Sequence, residues 1–349
     1  MNHDTPLSAR PLSRPSDVRL RVVTHAQLRA QGVTAAETNE RCRPGGPWQQ
    51  ILPGVCLLHP GPPTGEERLH AVLAYVTRSP QREAAPGVPV QPGAGRPRPP
   101  RRPDALVTGL AALTLHGFSS APPLLALDRV DVLVPRLRRL RGSGFARIVR
   151  TAALPDAEYV DGVAVAPVPR ALADAVAEPS DPETVRRMLT EAVRGGHCEP
   201  AAVVRELTAA RLLGRPHVVD AVDALLAEGR AVAEDRLYRM VGEYGLPDPV
   251  WNVDLRLPGG PHLGGVDAYW PEQAVAVELD TRAPRGDEDA QWAAHARKRE
   301  HLERLGVTVV HLTPRKLRDA AEQQATVVRT ALMASGDREP AAYVVVRPR

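Results

Sequence analysis

The stretch 266–280, VDAYWPEQAVAVELD, decides how the C-terminal part of this chain is expected to fold. Two largely apolar runs flank Pro-Glu-Gln, which predicts two antiparallel strands joined by a tight turn. This turn would place Asp267 opposite Glu278, and the period of two would put Asp280 on the same face. Neighbouring carboxylates repel one another unless a cation lies among them. The pattern is therefore typical of a divalent-cation site beside a sheet.

The composition indicates a globular protein with several domains. The chain has 349 residues, 43% of them hydrophobic and only 3% aromatic, so its cores must consist mainly of Ala, Val and Leu. Its three cysteines show neither Cys-x-x-Cys nor Cys/His spacing, so we expect no disulfide framework and no zinc. No nucleotide cofactor is expected either. Without a leader-like start or a long apolar run, the sequence predicts a cytoplasmic protein with no membrane partner.

The positive charge is concentrated in the middle of the chain. Residues 78–150 contain 13 arginines and four acids, which would attract a phosphate backbone. Part of this charge lies in a Pro/Arg-rich linker at 79–103, where it could serve only to keep the linker solvated. The run RLRRLR at 136–141 follows a strand-like segment and is a candidate DNA contact, with a solvated loop as the alternative. The arginines of this run are Arg136, Arg138, Arg139 and Arg141.

The N-terminal residues 1–62 predict a winged helix-turn-helix. Capping boxes that begin at Thr24 and Thr34 indicate two short helices, and the segment 48–58 reads as a hairpin. The second helix, about 34–43, would lie in a DNA groove. Its candidate DNA-contacting residues are Thr38, Asn39 and Arg41. Such a module also serves for contact with proteins, which is the alternative.

The pattern from 63 to 178 predicts a small α/β module, and 179–230 predict a helical connector. The α/β module would contain a helix over 64–77, another over 106–116, and short strands between 130 and 168. The connector would contain three helices, with Gly195, Gly214 and Gly229 as stop signals.

Residues 22–177 resemble the AbiEi-type antitoxin family, in which a winged helix precedes a second small domain. The matching stretches are QQILPGV at 49–55, GLAALTLHG at 109–117 and GVAVAPVPRALAD at 162–174. The resemblance implies DNA binding, transcriptional autoregulation and opposition to a partner toxin.

Residues 231–335, followed by a tail at 336–349, predict the element order αβββαβ, which is the core of the PD-(D/E)XK nuclease fold. The whole chain is thus expected to be α+β and multidomain. The C-terminal part resembles the very-short-patch-repair (Vsr)-like endonuclease domains. The matching stretches are Glu234–Arg236, 245–249, 266–267, 277–280 and 297–306.

This resemblance implies metal-assisted hydrolysis of a DNA phosphodiester. Asp267 and Glu278 would hold Mg²⁺ or Mn²⁺ and so lower the pKa of a bound water. Asp280 stands where the best-known members have lysine. The missing cation could come from Lys298, one of only two lysines in the chain. A possible outer site comprises Glu234, His295 and Arg299.

The chain departs from the family where ExDG and a nearby histidine are usual. The corresponding stretch is ELDTRAPR at 278–285, with neither the glycine nor the histidine. Arg282 or Arg285 could neutralise the carboxylates and leave a folded but inactive scaffold. The alternative function is therefore a non-enzymatic, antitoxin-like transcriptional regulator with a degenerate nuclease domain.

Overall fold

The structure is a computed structural model that describes Val18 and residues 20–77, 103–178, 181–281, 288–336 and 344–348. For 288–295, 336 and 348 it describes the backbone alone. The described part is α+β, with three sheets, and the chain divides into two compact units, residues 1–178 and 179–349. This confirms the predicted class and the presence of more than one domain. The predicted linker at 79–103 lies outside the described residues except for Pro103.

The first unit begins with two short helices and a three-stranded antiparallel sheet of order β1-β3-β2. Its elements are β1 (Val22–Thr24), α1 (His25–Ala30), α2 (Ala35–Arg41), β2 (Gln49–Leu52) and β3 (Val55–Leu57). Thr24 and Gln27 form the predicted capping box of α1. Thr34 Oγ1 accepts from Glu37 N at 3.1 Å and caps α2. Two helices followed by a hairpin is the arrangement that the capping signals predict.

The second sheet of this unit has five strands in the order β6-β5-β4-β8-β7. Its elements are α3 (Gly65–Thr77), β4 (Leu106–Thr108), α4 (Gly109–Leu115), β5 (Val130–Pro135), β6 (Ala146–Thr151), β7 (Glu158–Val160), β8 (Val163–Val165) and α5 (Val168–Val176). The predicted helix over 106–116 is wrong at its start, because Leu106–Thr108 form the central strand. Gly109 makes the sharp change from strand to helix with φ +62°.

The second unit opens with three helices: α6 (Pro182–Arg194), α7 (Pro200–Ala209) and α8 (Pro216–Glu243). The predicted stop at Gly229 is wrong, because α8 runs through it for 28 residues. A Cβ at 229 would stand 2.3 Å from Pro200 Cγ, so the glycine allows α7 and α8 to approach closely. The expected boundary between connector and nuclease-like domain therefore falls inside one helix.

The sheet of the second unit has the strand order β12-β11-β10-β9-β13, and only β11 and β12 are parallel. Its elements are β9 (Val250–Arg256), β10 (His262–Trp270), β11 (Val275–Leu279), α9 (Glu288–Arg304), β12 (Thr308–Leu312), α10 (Pro314–Asp319), α11 (Ala321–Gly336) and β13 (Val345–Pro348). Part of the expected tail is thus an edge strand, β13, which pairs with β9.

Each face of this sheet carries its own apolar core. One core includes Leu237 of α8, Trp270 and Val277, and the other includes Leu302 of α9, Tyr269 and Ala276. Side chains on a regular strand alternate between faces. β9 and β10 break that alternation at Asn252, which has φ +50°, and at Asp267. Asp267 thus lies where β10 changes the face it presents.

The change of face is visible in the residues on either side. Val253 and Val266 pack in the core that contains Leu302, whereas Trp251 and Ala268 pack in the core that contains Leu237. In each strand these residues are two positions apart and would share a face in a regular strand.

No helix of the described part is long and apolar enough to cross a membrane.

Candidate functional site

Asp267 is a buried carboxylate with hydrogen bonds to both of its oxygens. Only 6% of the residue is exposed. Arg230 Nη2, from α8, donates to Oδ1 at 2.6 Å, and the backbone N–H of Leu279 donates to Oδ2 at 2.6 Å. Arg230 also reaches Glu234 Oε1 with its Nε at 2.8 Å. Asp267 therefore joins β10, the end of β11 and α8.

Glu278 lies close to basic side chains from two other elements. Lys298 Nζ, on α9, contacts Glu278 Oε1 and donates to Gly265 O at 2.7 Å. Among the described residues, none makes an aligned hydrogen bond to this buried Oε1, so its contact with Lys298 is an ion pair. His311 Nδ1 lies 3.7 Å from the other oxygen. The predicted association of Lys298 with Glu278 is thus present in the structure.

The register places Asp267 next to Glu278, as the sequence predicts. Ala268 pairs with Val277, and the next residue on each strand is Asp267 and Glu278. Asp280 lies one residue beyond β11, is exposed, and donates its backbone N–H to Leu312 O at 2.8 Å. In the described part, no group of three or more His, Cys, Asp or Glu is placed to hold a metal ion. The three predicted carboxylates therefore do not form one ligand group.

The predicted outer residues have different positions. Glu234 lies beside the site through Arg230, whereas the Arg299 Nε lies 3.7 Å from Glu303 Oε1 on its own helix. The side chain of His295, and both Arg282 and Arg285, lie outside what the structure describes. Either of those two arginines was a candidate for neutralising the carboxylates. In the described part the cations are Arg230 and Lys298.

Two aromatic side chains, Tyr238 and Trp251, also lie beside the site, and the sequence did not indicate them. Tyr238 lies one turn beyond Glu234 on α8, and its ring centroid is 4.2 Å from that of Trp251. Asn252 Nδ2 donates to the Tyr238 hydroxyl at 3.1 Å. Burial, together with the negative charges of Glu234 and Asp267, raises the pKa of Tyr238 above its ordinary value of 10.0. Arg230, Glu234 and Tyr238 follow i, i+4 spacing on α8, and the stop assumed at Gly229 left Arg230 out of this set.

These side chains do not fit the expected two-carboxylate Mg²⁺ site. Mg²⁺ requires deprotonated oxygens with free lone pairs in near-octahedral geometry. Both oxygens of Asp267 already accept hydrogen bonds, and one of these comes from a guanidinium. Glu278 Oε1 has no aligned hydrogen bond from the described residues but lies against Lys298, and Oε2 lies 3.7 Å from His311 Nδ1. Each Asp267 oxygen keeps a second lone pair, but the guanidinium of Arg230 beside Oδ1 and the ammonium of Lys298 beside Glu278 oppose the approach of a further cation.

The proposed groove-reading helix α2 is only partly available for contact. Thr38 is 4% exposed, and its hydroxyl donates to Thr34 O at 3.0 Å. The prediction that Thr38 contacts DNA is therefore wrong, because its side chain faces the interior. Arg41 pairs with Glu37 of the same helix, and its guanidinium lies 4.5 Å from the Trp48 ring centroid. Asn39 is exposed. The charge of Arg41 is therefore already balanced locally.

The loop at 136–145, which links β5 to β6, contains the predicted arginine run. Arg136, Arg139 and Arg141 are exposed, and Arg138 is half-buried with its Nη1 donating to Asp104 O at 3.4 Å. None of the four has a carboxylate within ion-pair distance among the residues that the structure describes. By contrast, Arg147 on β6 pairs with both Asp131 and Glu178. The loop is thus the place in the described part of this unit where four arginines cluster without acids.

Comparison with protein-family models and with curated protein sequences finds no match to this chain.

Proposed function

We propose that this chain is a DNA-binding protein that holds the phosphate backbone with the arginine loop, residues 136–141. Four positive charges with no carboxylate partner among the described residues support the proposal, since phosphate can replace the solvent around them without breaking an ion pair. The helix α2 contributes less in this proposal, because Arg41 is paired with Glu37 and Thr38 is buried.

In the same proposal, the second unit has the scaffold of a nuclease-like domain and no preformed metal site. The element order from α8 to β12 supports the scaffold. The hydrogen bonds that occupy Asp267 support the absence of a preformed site. The favoured function is therefore DNA binding without cleavage, in keeping with a transcriptional regulator of the antitoxin-like kind. A toxin partner remains an expectation from the resemblance of residues 22–177.

The binding test is fluorescence anisotropy with a labelled DNA duplex of about 30 base pairs at several salt concentrations. Replacing Arg136, Arg139 and Arg141 together by alanine should weaken binding and reduce the salt slope by about 2 to 3, because each phosphate contact contributes about 0.9. Arg129→Ala is the matched control, since Arg129 is 60% exposed and lies 3.6 Å from Glu178. An unchanged slope in the triple variant would refute the assignment to this loop.

Metal-dependent DNA hydrolysis is the second candidate. The buried Glu278 Oε1 beside Lys298 favours it, because PD-(D/E)XK enzymes place a cation next to their second acid. Supercoiled plasmid incubated with Mg²⁺ or Mn²⁺ separates the two candidates. Under the favoured proposal, wild type, Asp267→Asn and Glu278→Gln leave equal amounts of intact plasmid. Nicking by wild type that both variants lose would instead establish the nuclease.

A further inference from the structure

Leu137 is the most exposed of the large hydrophobic side chains in the described residues, at 89%. It lies between Arg136 and Arg138 in the arginine loop. A single exposed leucine is ordinary on a protein surface. An exposed leucine in a loop that carries four arginines is different, because a partner that accepts the charges must also accommodate the leucine.

The backbone around Leu137 is held in place. β5 and β6 are parallel, so residues 136–145 must return over the length of a six-residue strand, about 17 Å. At the start of this loop, Arg136 N donates to Thr151 O at 2.8 Å and Arg138 N donates to Pro135 O at 2.9 Å. Leu137 therefore projects from a turn in which the backbone N–H groups of both adjacent residues, Arg136 and Arg138, are hydrogen-bonded.

The far side of the loop is fastened as well. Tyr75 Oη donates to Arg141 O at 2.8 Å, and Arg150 Nη2 donates to Leu140 O at 2.5 Å. Gly144 lies so close to the β2 strand that an added Cβ would be 3.3 Å from Leu52 Cδ2. A fixed loop loses little conformational entropy when it binds, and it can press a side chain against a partner.

We infer that Leu137 is a wedge that enters a base step of double-stranded DNA from the minor groove. Proteins that bend DNA in this way insert a leucine or similar apolar side chain between base pairs while arginines contact the groove and the phosphates. A narrow minor groove has enhanced negative potential, which attracts arginine. One projecting leucine and four arginines with no acidic partner among the described residues match this requirement. The inference rests on the proposed DNA binding and adds the groove and the deformation.

The test measures DNA bending by energy transfer between dyes at the two ends of a short duplex. Wild type should shorten the end-to-end distance by a bend of roughly 20–90°, the range of known wedge proteins. Leu137→Ala should bind with an unchanged salt slope and lose most of the bend. Leu137→Phe should retain the bend, and Leu137→Lys should steepen the salt slope without restoring it.

Leu125→Ala is the matched control, because Leu125 is 70% exposed in the same unit and has no arginine neighbour in sequence. It should leave both binding and bending unchanged. If wild type binds DNA without bending it, or if Leu137→Ala bends it equally, the wedge is refuted while the proposed DNA binding stands. If wild type shows no DNA affinity at low salt, both the wedge and the proposed function fail. Binding of single strands in preference to duplex would also overturn the wedge.

Discussion

Arg230 donates to Asp267 at 2.6 Å, and this contact joins helix α8 to the centre of the sheet. Asp267 is buried, whereas the Arg230 side chain is 40% exposed. Loss of the ion pair should therefore cost more free energy at the carboxylate than at the guanidinium. The arginine can return to solvent, but the carboxylate cannot. The effects of substitution should reflect that asymmetry.

Arg230→Met should lower the free energy of unfolding by about 3 kcal/mol, because it leaves a buried carboxylate without its cation. Asp267→Asn in the same background should recover part of this loss, giving a coupling of about 1 to 3 kcal/mol in a double-mutant cycle. Urea unfolding measures both. Arg239→Ala is the control, since its i, i+4 partner Asp235 is exposed and the pair should contribute less than about 0.5 kcal/mol. Additive effects of the Arg230 and Asp267 substitutions would contradict this prediction.

The second prediction concerns divalent cations. Mg²⁺ should not raise the melting temperature of the wild-type protein, because Arg230 and Lys298 already place a positive charge beside Asp267 and Glu278. In Arg230→Met the carboxylate becomes available beside Glu278, and Mg²⁺ at a hundredfold excess over its Kd should stabilise the fold by about 2.7 kcal/mol. Thermal unfolding with and without Mg²⁺ measures this. Arg230→Met combined with Asp267→Asn should lose the effect, and a Mg²⁺-dependent rise in wild type would show that the site binds metal as it stands.

The third prediction uses two glycines of α8. Gly229→Ala should destabilise the second unit by about 1 to 3 kcal/mol through overpacking against Pro200, which outweighs the gain in helix propensity. Gly242→Ala has nothing within 4 Å of the new Cβ and should stabilise by about 0.5 to 1 kcal/mol. Chemical denaturation of both variants provides the comparison. Equal and stabilising effects would mean that α7 and α8 do not pack as described.

The fourth prediction is a pH dependence in the first unit. Burial tends to raise the pKa of Glu67, but hydrogen bonds from Thr64 and His59 outweigh it and hold the pKa below its ordinary value of 4.5. A lowered pKa contributes stability above the unfolded value, and that stability is lost as the pH falls through the folded value. The unfolding free energy should therefore decline below about pH 4.5 more steeply in wild type than in Glu67→Gln. Parallel pH profiles for the two proteins would contradict this.

Local signals in the sequence predicted local structure well. Thr24 and Gln27 form the hydrogen bonds of the predicted capping box, and Thr64 and Glu67 form the same pair of bonds at the start of the helix predicted over 64–77. The turn after Trp270 gives the predicted register of Ala268 with Val277. Each of these features depends on residues that are close in the sequence.

The wrong secondary-structure predictions concern segments whose conformation is determined by residues far away in the sequence. Gly229 reads as a stop in isolation, but its neighbour is Pro200 on another helix. Leu106–Thr108 have an apolar pattern that suits helix or strand, and pairing with β5 and β8 selects the strand. β13 forms because β9 offers a free edge. A short stretch of sequence contains little information about which strands it will pair with in a sheet.

The site was predicted in part for the same reason. Asp267 and Glu278 were found from their residue types and the predicted register, and Lys298 was added because the resemblance requires a cation that Asp280 does not supply. Arg230 was missed because the helix was assumed to end at Gly229, one residue before it. Thr38 was misjudged because the inward face of α2 depends on packing against the rest of the unit.

The continuity of α8 limits how this chain can be divided. A fragment that starts at Ala231 would contain every strand of the sheet but would lack Arg230, the cation that pairs with the buried Asp267. We therefore expect a fragment that starts at Ala231 to be less stable than one that contains the whole of α8.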